Sequence, residues 1–193
     1  MPTTKNPQTQ QSEPFALGIR VIIVLLVSLS AYQMFFASDT SVKKNTLAPS
    51  LTLLQASDSS QKILKFKGHY TILHFWATWC PTCVQTLPHS SARALKFKKK
   101  GIKYIMICMT QGLRMSALRN FLTEHRIPKK YWSFHHLDKG RNASSRYAVR
   151  VLPSFVVIDR QGKVASYVKG YASDRRLQLI LQKLNKTSHL GKN

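Results

Sequence analysis

The chain has 193 residues, 44% of them hydrophobic, with 30 Lys+Arg against 7 Asp+Glu and three cysteines. That length fits one domain with an attachment. The apolar fraction excludes a disordered chain, eight Gly and eight Pro exclude a collagen-like one, and three cysteines exclude a disulfide-rich scaffold. A net charge of +23 bears on solubility and on attraction to anionic surfaces, not on the fold.

Residues 1–14 are polar and precede the anchor. An apolar run follows, Val21–Ala37, broken only by Ser28, Ser30 and Gln33 and extended backward to Phe15 across Arg20. Counted over 15–37 it is long enough for a helix that spans a bilayer core. A cleaved signal peptide is the competitor, but Phe35-Phe36-Ala37 puts Phe three positions before the cut, where a cleavage site wants a small residue, which favours an uncleaved anchor. Lys5 and Arg20 lie before the run and Lys43 and Lys44 after it, so charge alone leaves the orientation open. Residues 38–46 read as a tether. Removing residues 1–38 takes away two basic residues and one acidic one, so +22 stays with the rest. Nucleic-acid binding is set aside for an anchored export product; solvated faces and attraction to anionic lipid or acidic partners remain.

In the body of the chain, Tyr70–Trp76 reads as a buried strand. Pro81 suits the first turn of a helix over 81–100, with Gly101 as its stop and Pro88 as a kink. Ile102–Met109 is a nearly all-apolar central parallel strand. Leu118, Phe121 and Leu122 mark a helix that ends before Pro128, and a short helix is expected around 141–149. Ser154–Asp159 is a strand, residues 160–163 a turn, and Val164–Lys169 its antiparallel partner. Leu177, Ile180, Leu181 and Leu184 give a last amphipathic helix, and 187–193 a tail. This β–α–β half followed by a β–β–α half predicts an α/β fold with a mixed central sheet flanked by helices.

The chemistry centres on Trp79-Cys80-Pro81-Thr82-Cys83. A Cys-x-x-Cys pair where a buried strand meets a helix places its first sulfur at the helix N-terminus, where unpaired N–H groups and the macrodipole stabilise thiolate. Cys80 is thus expected to be the exposed nucleophile and Cys83, one turn on, the resolving thiol of a redox disulfide. A structural zinc site needs a second ligand pair, and Cys108, mid-strand, reads as a buried inert thiol. Trp79 is expected to lie beside Cys80 and shape a substrate groove with Pro81 and Thr82, and Trp76 to be core. His69 and the pair His135-His136 read as surface histidines.

Phe75–Cys83 with Leu87-Pro88 behind it resembles the membrane-anchored, extracytoplasmic thioredoxin-like proteins of bacteria, the TlpA/ResA/CcmG (DsbE) group. Ala48–Leu53, Tyr147-Ala148-Val149, Leu152-Pro153-Ser154, Val157-Ile158-Asp159 and Gly162-Lys163-Val164 extend the resemblance over about residues 47–186. It implies a thioredoxin fold, thiol–disulfide exchange, and a domain facing the periplasm with residues 1–14 on the cytoplasmic side; no cofactor or metal is expected. Pro153 matches that fold's cis proline, which lies against the dithiol, with Leu152 offering backbone to a substrate strand. His74 sits six before Cys80, where relatives often carry an acid that moves the proton; an imidazole there could act as base for Cys83, or be a buried histidine bonded to backbone. Thr86 and Ser154 stand where ResA or CcmG carry acids, which counts against a dedicated cytochrome c maturation role. The implied activity is reduction of disulfides in cysteine-containing exported proteins, with electrons from a DsbD/CcdA-like membrane protein. The alternative is a non-catalytic copper-binding protein, as in the ScsD-like branch that the chain also resembles, with soft thiolates holding Cu(I).

Overall fold

The computed structural model describes residues 13–36 and 44–190. The chain divides into two units, residues 1–39 and 40–193. In the first, one helix, α1 (Glu13–Phe36), takes up the apolar run. Its large apolar side chains from Ile19 to Leu29 are exposed, and the hydroxyls of Ser28 and Ser30 donate back to the carbonyls of Leu25 and Val27. Residues 18–30, whose side chains are described, rise about 20 Å against a hydrocarbon core of about 30 Å. Among the described residues, no helix is long and apolar enough to cross a membrane. The expected N-terminal segment up to residue 12 and most of the tether lie outside the described residues.

The second unit holds a seven-stranded sheet: β1 (Leu51–Gln55), β2 (Gln61–Leu64), β3 (Thr71–Trp76), β4 (Lys103–Cys108), β5 (His135–Leu137), β6 (Ser154–Ile158) and β7 (Val164–Lys169). Their spatial order is β2-β1-β5-β4-β3-β6-β7. β3, β4 and β5 are parallel, while β1 and β6 flank them antiparallel. The helices are α2 (Pro81–Lys99), α3 (Met115–Glu124), α4 (Asn142–Arg146) and α5 (Asp174–Leu190). The mixed sheet flanked by helices is the expected one. β3 is buried along its whole length, and β4 is buried except for Lys103, as befits central strands covered on both faces.

Side-chain alternation in β3 divides the core. Ile72 and Trp76 face one cluster with Leu87 and Phe97 of α2, Leu118 of α3 and Leu177 of α5. Leu73 and Phe75 face another with Ala143 of α4, Tyr147 and Leu53. α2 ends as predicted at Gly101, whose φ of 72° lies in the left-handed region and whose N–H bonds the carbonyl of Lys98. Pro88 lies inside α2, which continues across it as a single helix. Gly162 (φ 79°) makes the β6–β7 turn, where the Asp159 carboxylate accepts the N–H of Lys163.

Two strands escape the sequence reading. β2 is four residues on the sheet edge, and β5 is three residues between β1 and β4. β5 corrects the expectation of surface histidines at 135 and 136: they are 0% and 5% exposed. His69 is exposed as expected.

Candidate active site

β3 delivers the chain to a short turn, residues 77–79, in which the N–H of Cys80 bonds the carbonyl of Ala77. Cys80 has extended backbone (φ −92°, ψ 108°) and caps α2: its Sγ accepts the N–H of Cys83 at 3.2 Å, and its carbonyl accepts the N–H of Val84. Pro81 occupies the first helical position, where no partner for a backbone N–H is needed. Cys80 and Cys83 are joined in a disulfide, with 5.2 Å between their Cα atoms. The sulfur expected to be exposed is turned in over the helix end: Cys80 is 5% exposed and Cys83 1%.

The turn is pinned to its neighbours. The N–H of Thr78 donates to Oγ1 of Thr110 at 2.9 Å, the two hydroxyls lie 2.9 Å apart, and the N–H of Met109 bonds the carbonyl of Trp76. Cys108 is free and buried, donates its S–H to Thr110, and burial pushes its thiol pKa up. The Leu152–Pro153 peptide is cis, and the pairing of Ser154 with Phe75 sets Pro153 beside the end of β3, where the dithiol turn begins. Leu152 packs against both core clusters, and the Ser154 hydroxyl donates to the carbonyl of Val151.

Trp79 stands out at 67% exposure, and Pro81 and Thr82 are also exposed. Trp79 walls a cavity of about 590 Å³ together with Met109, Gln111, Ser145, Val149 and Arg150. Three segments far apart in sequence thus meet beside the dithiol: the motif turn, the loop after β4, and the stretch leading to Pro153. Sequence reasoning missed Thr110 and Arg150, because neither belongs to a spaced motif.

His74 is buried on β3. Its Nδ1 lies 3.3 Å from the Tyr104 hydroxyl, its ring stacks on Phe155 with centroids 4.3 Å apart, and its Nε2 has no hydrogen-bond partner. Burial first, and then the charges of Arg93 and His135, hold its pKa well below the ordinary histidine value, so the imidazole is neutral. It bonds a phenol rather than backbone. Close by, Arg93 of α2 is fully buried, with its Nε donating to Asp174 at 2.6 Å and its guanidinium carbon 5.9 Å from the rings of Phe155 and Tyr171. Thr86 turns its hydroxyl onto the carbonyl of Thr82. Among the described residues, no three His, Cys, Asp or Glu side chains gather as a metal site.

The Redoxin family profile matches residues 43–178. The chain belongs to the Redoxin family. It is 28% identical over 172 residues to the thiol-disulfide oxidoreductase ResA of Bacillus cereus, covering 87% of this chain and 96% of that protein. The ResA of Bacillus subtilis is 26% identical over 153 residues, covering 79% and 82%. Among solved structures, a Chlorobium tepidum protein assigned as the thiol:disulfide interchange protein DsbE matches with a TM-score of 0.61 at 25% identity, over 75% of this chain and 98% of that one. StoA from Bacillus subtilis matches at 0.58 and 17% identity, over 69% and 96%. This Redoxin therefore has a thioredoxin-like fold and is a thiol–disulfide oxidoreductase that is similar to ResA.

Proposed function

We propose that this Redoxin is an extracytoplasmic reductase of protein disulfides, held at the membrane by α1. The observation that carries the reading is the Cys80–Cys83 disulfide at the N-terminus of α2, with Cys80 Sγ already accepting a backbone N–H of the first turn. On reduction that N–H and the helix dipole favour thiolate at Cys80. The thiolate attacks one sulfur of a substrate disulfide, forming a Cys80–substrate disulfide and releasing the other substrate sulfur, which takes up a proton. Cys83 then loses its proton and attacks Cys80, closing the Cys80–Cys83 bond and releasing the second substrate thiol. The substrate gains two electrons and the enzyme loses two. A dithiol on a DsbD/CcdA-like membrane protein restores them by the same chemistry in reverse.

Within this reading Pro153 and Leu152 border the substrate strand, with Trp79, Pro81 and Thr82 as the exposed rim. His74 accepts the Cys83 proton through its unpartnered Nε2; as a buried neutral imidazole it holds that proton only in passing. Two features support a membrane-held chain: the apolar run from 15 to 37 and the row of exposed Ile, Val and Leu side chains along α1. Resemblance to ResA supports reduction as the direction.

The test is capture of substrates in cells. Cys83→Ala keeps the attacking thiol and removes the resolving one, so disulfide-linked complexes with exported, cysteine-containing proteins accumulate and disappear on reduction. Cys80→Ala accumulates few. If Cys83→Ala captures nothing even with reductive recycling blocked, exchange with proteins is the wrong activity.

A further inference from the structure

We propose that the pole of the globular unit opposite the dithiol is a docking face for an anionic bilayer, holding the active site away from the membrane. α2 starts at the dithiol and runs 19 residues, which at about 1.5 Å per residue carries its far end roughly 28 Å away. That end holds the exposed Lys96, Lys98, Lys99 and Lys100. The N–H of Ile102 bonds the carbonyl of Phe97, so β4 starts at the same place with exposed Lys103, paired across the sheet with Thr71, the first residue of β3.

The antiparallel β6 pairs Ile158 with Thr71, so the β6–β7 turn lies at this pole too, with exposed Arg160 and Lys163. The N–H of Gly68 bonds the carbonyl of Arg160, which brings exposed Lys67 alongside. On the other side, Lys98 lies over the ring of Phe134 at 5.9 Å, fixing the 3-10 turn Lys129–Phe134 and its exposed Lys129 and Lys130 against the end of α2. Three acids stand against these cations. Asp159 is occupied by the N–H of Lys163, Asp174 is taken up by Arg93 and His89 and also pairs with Lys96 at 3.9 Å, and Glu124 ends α3.

The partner is named by where the chain enters. Asn45 and Ala48 donate to the carbonyls of Val164 and Gly162, and Leu47 bridges Lys163, so the segment arriving from α1 joins the unit at this basic pole. The tether to a bilayer that held α1 therefore starts from this pole. Clustered Lys and Arg beside a membrane attachment are attracted to anionic headgroups, over a Debye length of about 8 Å at physiological salt. The choice of lipid as partner rests on the anchored reading above; the basic pole itself does not.

The experiment is residue-resolved lysine acetylation on the full chain reconstituted in vesicles of phosphatidylcholine alone or with about 30% phosphatidylglycerol, since only the latter carries the surface potential. In the anionic vesicles at low salt, Lys98, Lys99, Lys100, Lys103 and Lys130 are expected to react at least about threefold more slowly, with Lys139 and Lys169 near the dithiol pole unchanged; about 0.5 M salt abolishes the difference. The triple charge reversal Lys98→Glu, Lys99→Glu, Lys100→Glu removes the protection at Lys103 and Lys130. Equal reactivity in both vesicles, or equal protection at Lys139 and Lys169, overturns the proposal. So does protection that duplex DNA confers in neutral vesicles more strongly than anionic lipid does. Retention of the chain by neutral vesicles at high salt reads the anchor separately. Its loss there, with the anionic footprint intact, overturns the anchor and supports the pole.

Discussion

Cys80 and Cys83 differ by their position on one helical turn, and that difference is measurable. In the reduced protein, Cys80 at the cap of α2 should be alkylated at neutral pH at least about tenfold faster than Cys83, because its thiolate is the one the helix terminus stabilises. Cys108, buried and with its thiol pKa raised, should stay unmodified in the folded state. Cys83 reacting first in a peptide-resolved alkylation time course would reverse the roles of attacking and resolving thiol. His74 allows a split readout. If it takes the Cys83 proton, His74→Leu leaves Cys80 alkylation within about twofold and slows resolution of the mixed disulfide by about a hundredfold, the low end of a general-base contribution. Equal slowing of both steps would mark a packing role. At this scale the sequence showed the dithiol because its residues are adjacent, and the spacing from His74 to Cys80 is readable along one strand. It could not show Thr110, whose hydroxyl meets Thr78 only after β4 has paired with β3.

Elements bring the less legible groups together. Helix α5 was expected from its apolar spacing, but not that Asp174 at its start holds the fully buried Arg93 of α2. Burial pushes the Asp174 carboxyl up, but His89 and Arg93 outweigh this and hold it below the usual carboxylate range. Asp174→Ala removes the partner and leaves a buried charge, with an expected loss of about 3 kcal/mol in urea unfolding at pH 7. Arg93→Met made together with it should recover much of that loss.

The short strand β5 was missed because three residues carry no readable period, and its neighbours β1 and β4 are assembled from distant sequence. The two histidines it buries should make the fold acid-sensitive. Burial lowers the pKa of His135 to about 3 and that of His136 to about 4. Both are neutral in the fold, but in the unfolded chain they protonate near 6.5. The unfolded state therefore binds more protons below pH 6.5, and stability falls as pH drops from there toward 4. At pH 5 each histidine costs about 2 kcal/mol. Urea unfolding at pH 7.5 and 5.0 should show a loss of about 4 kcal/mol from the pair, reduced in His136→Asn. Equal stability at the two pH values contradicts this.

Across the whole molecule, the order of strands and helices was legible because the long buried strands β3, β4 and β6 and the helices α2 and α5 each carry their own period. The meaning of the charge was not. Lysines at the end of α2, the start of β4 and the β6–β7 turn are scattered in sequence and become one pole only when the register of β3 with β4 and β6 is known. The dithiol lies at the other end, at the close of β3. A reductase that presents Cys80 and Cys83 at that end is tested most directly by the redox equilibrium of the pair. Equilibrating the full chain in glutathione redox buffers and quantifying the Cys80–Cys83 disulfide by mass spectrometry gives its reduction potential. A reductase should show about −250 mV, in the range of thioredoxin and the glutaredoxins; a potential more oxidising than about −180 mV would make the protein a donor of disulfides and contradict that direction.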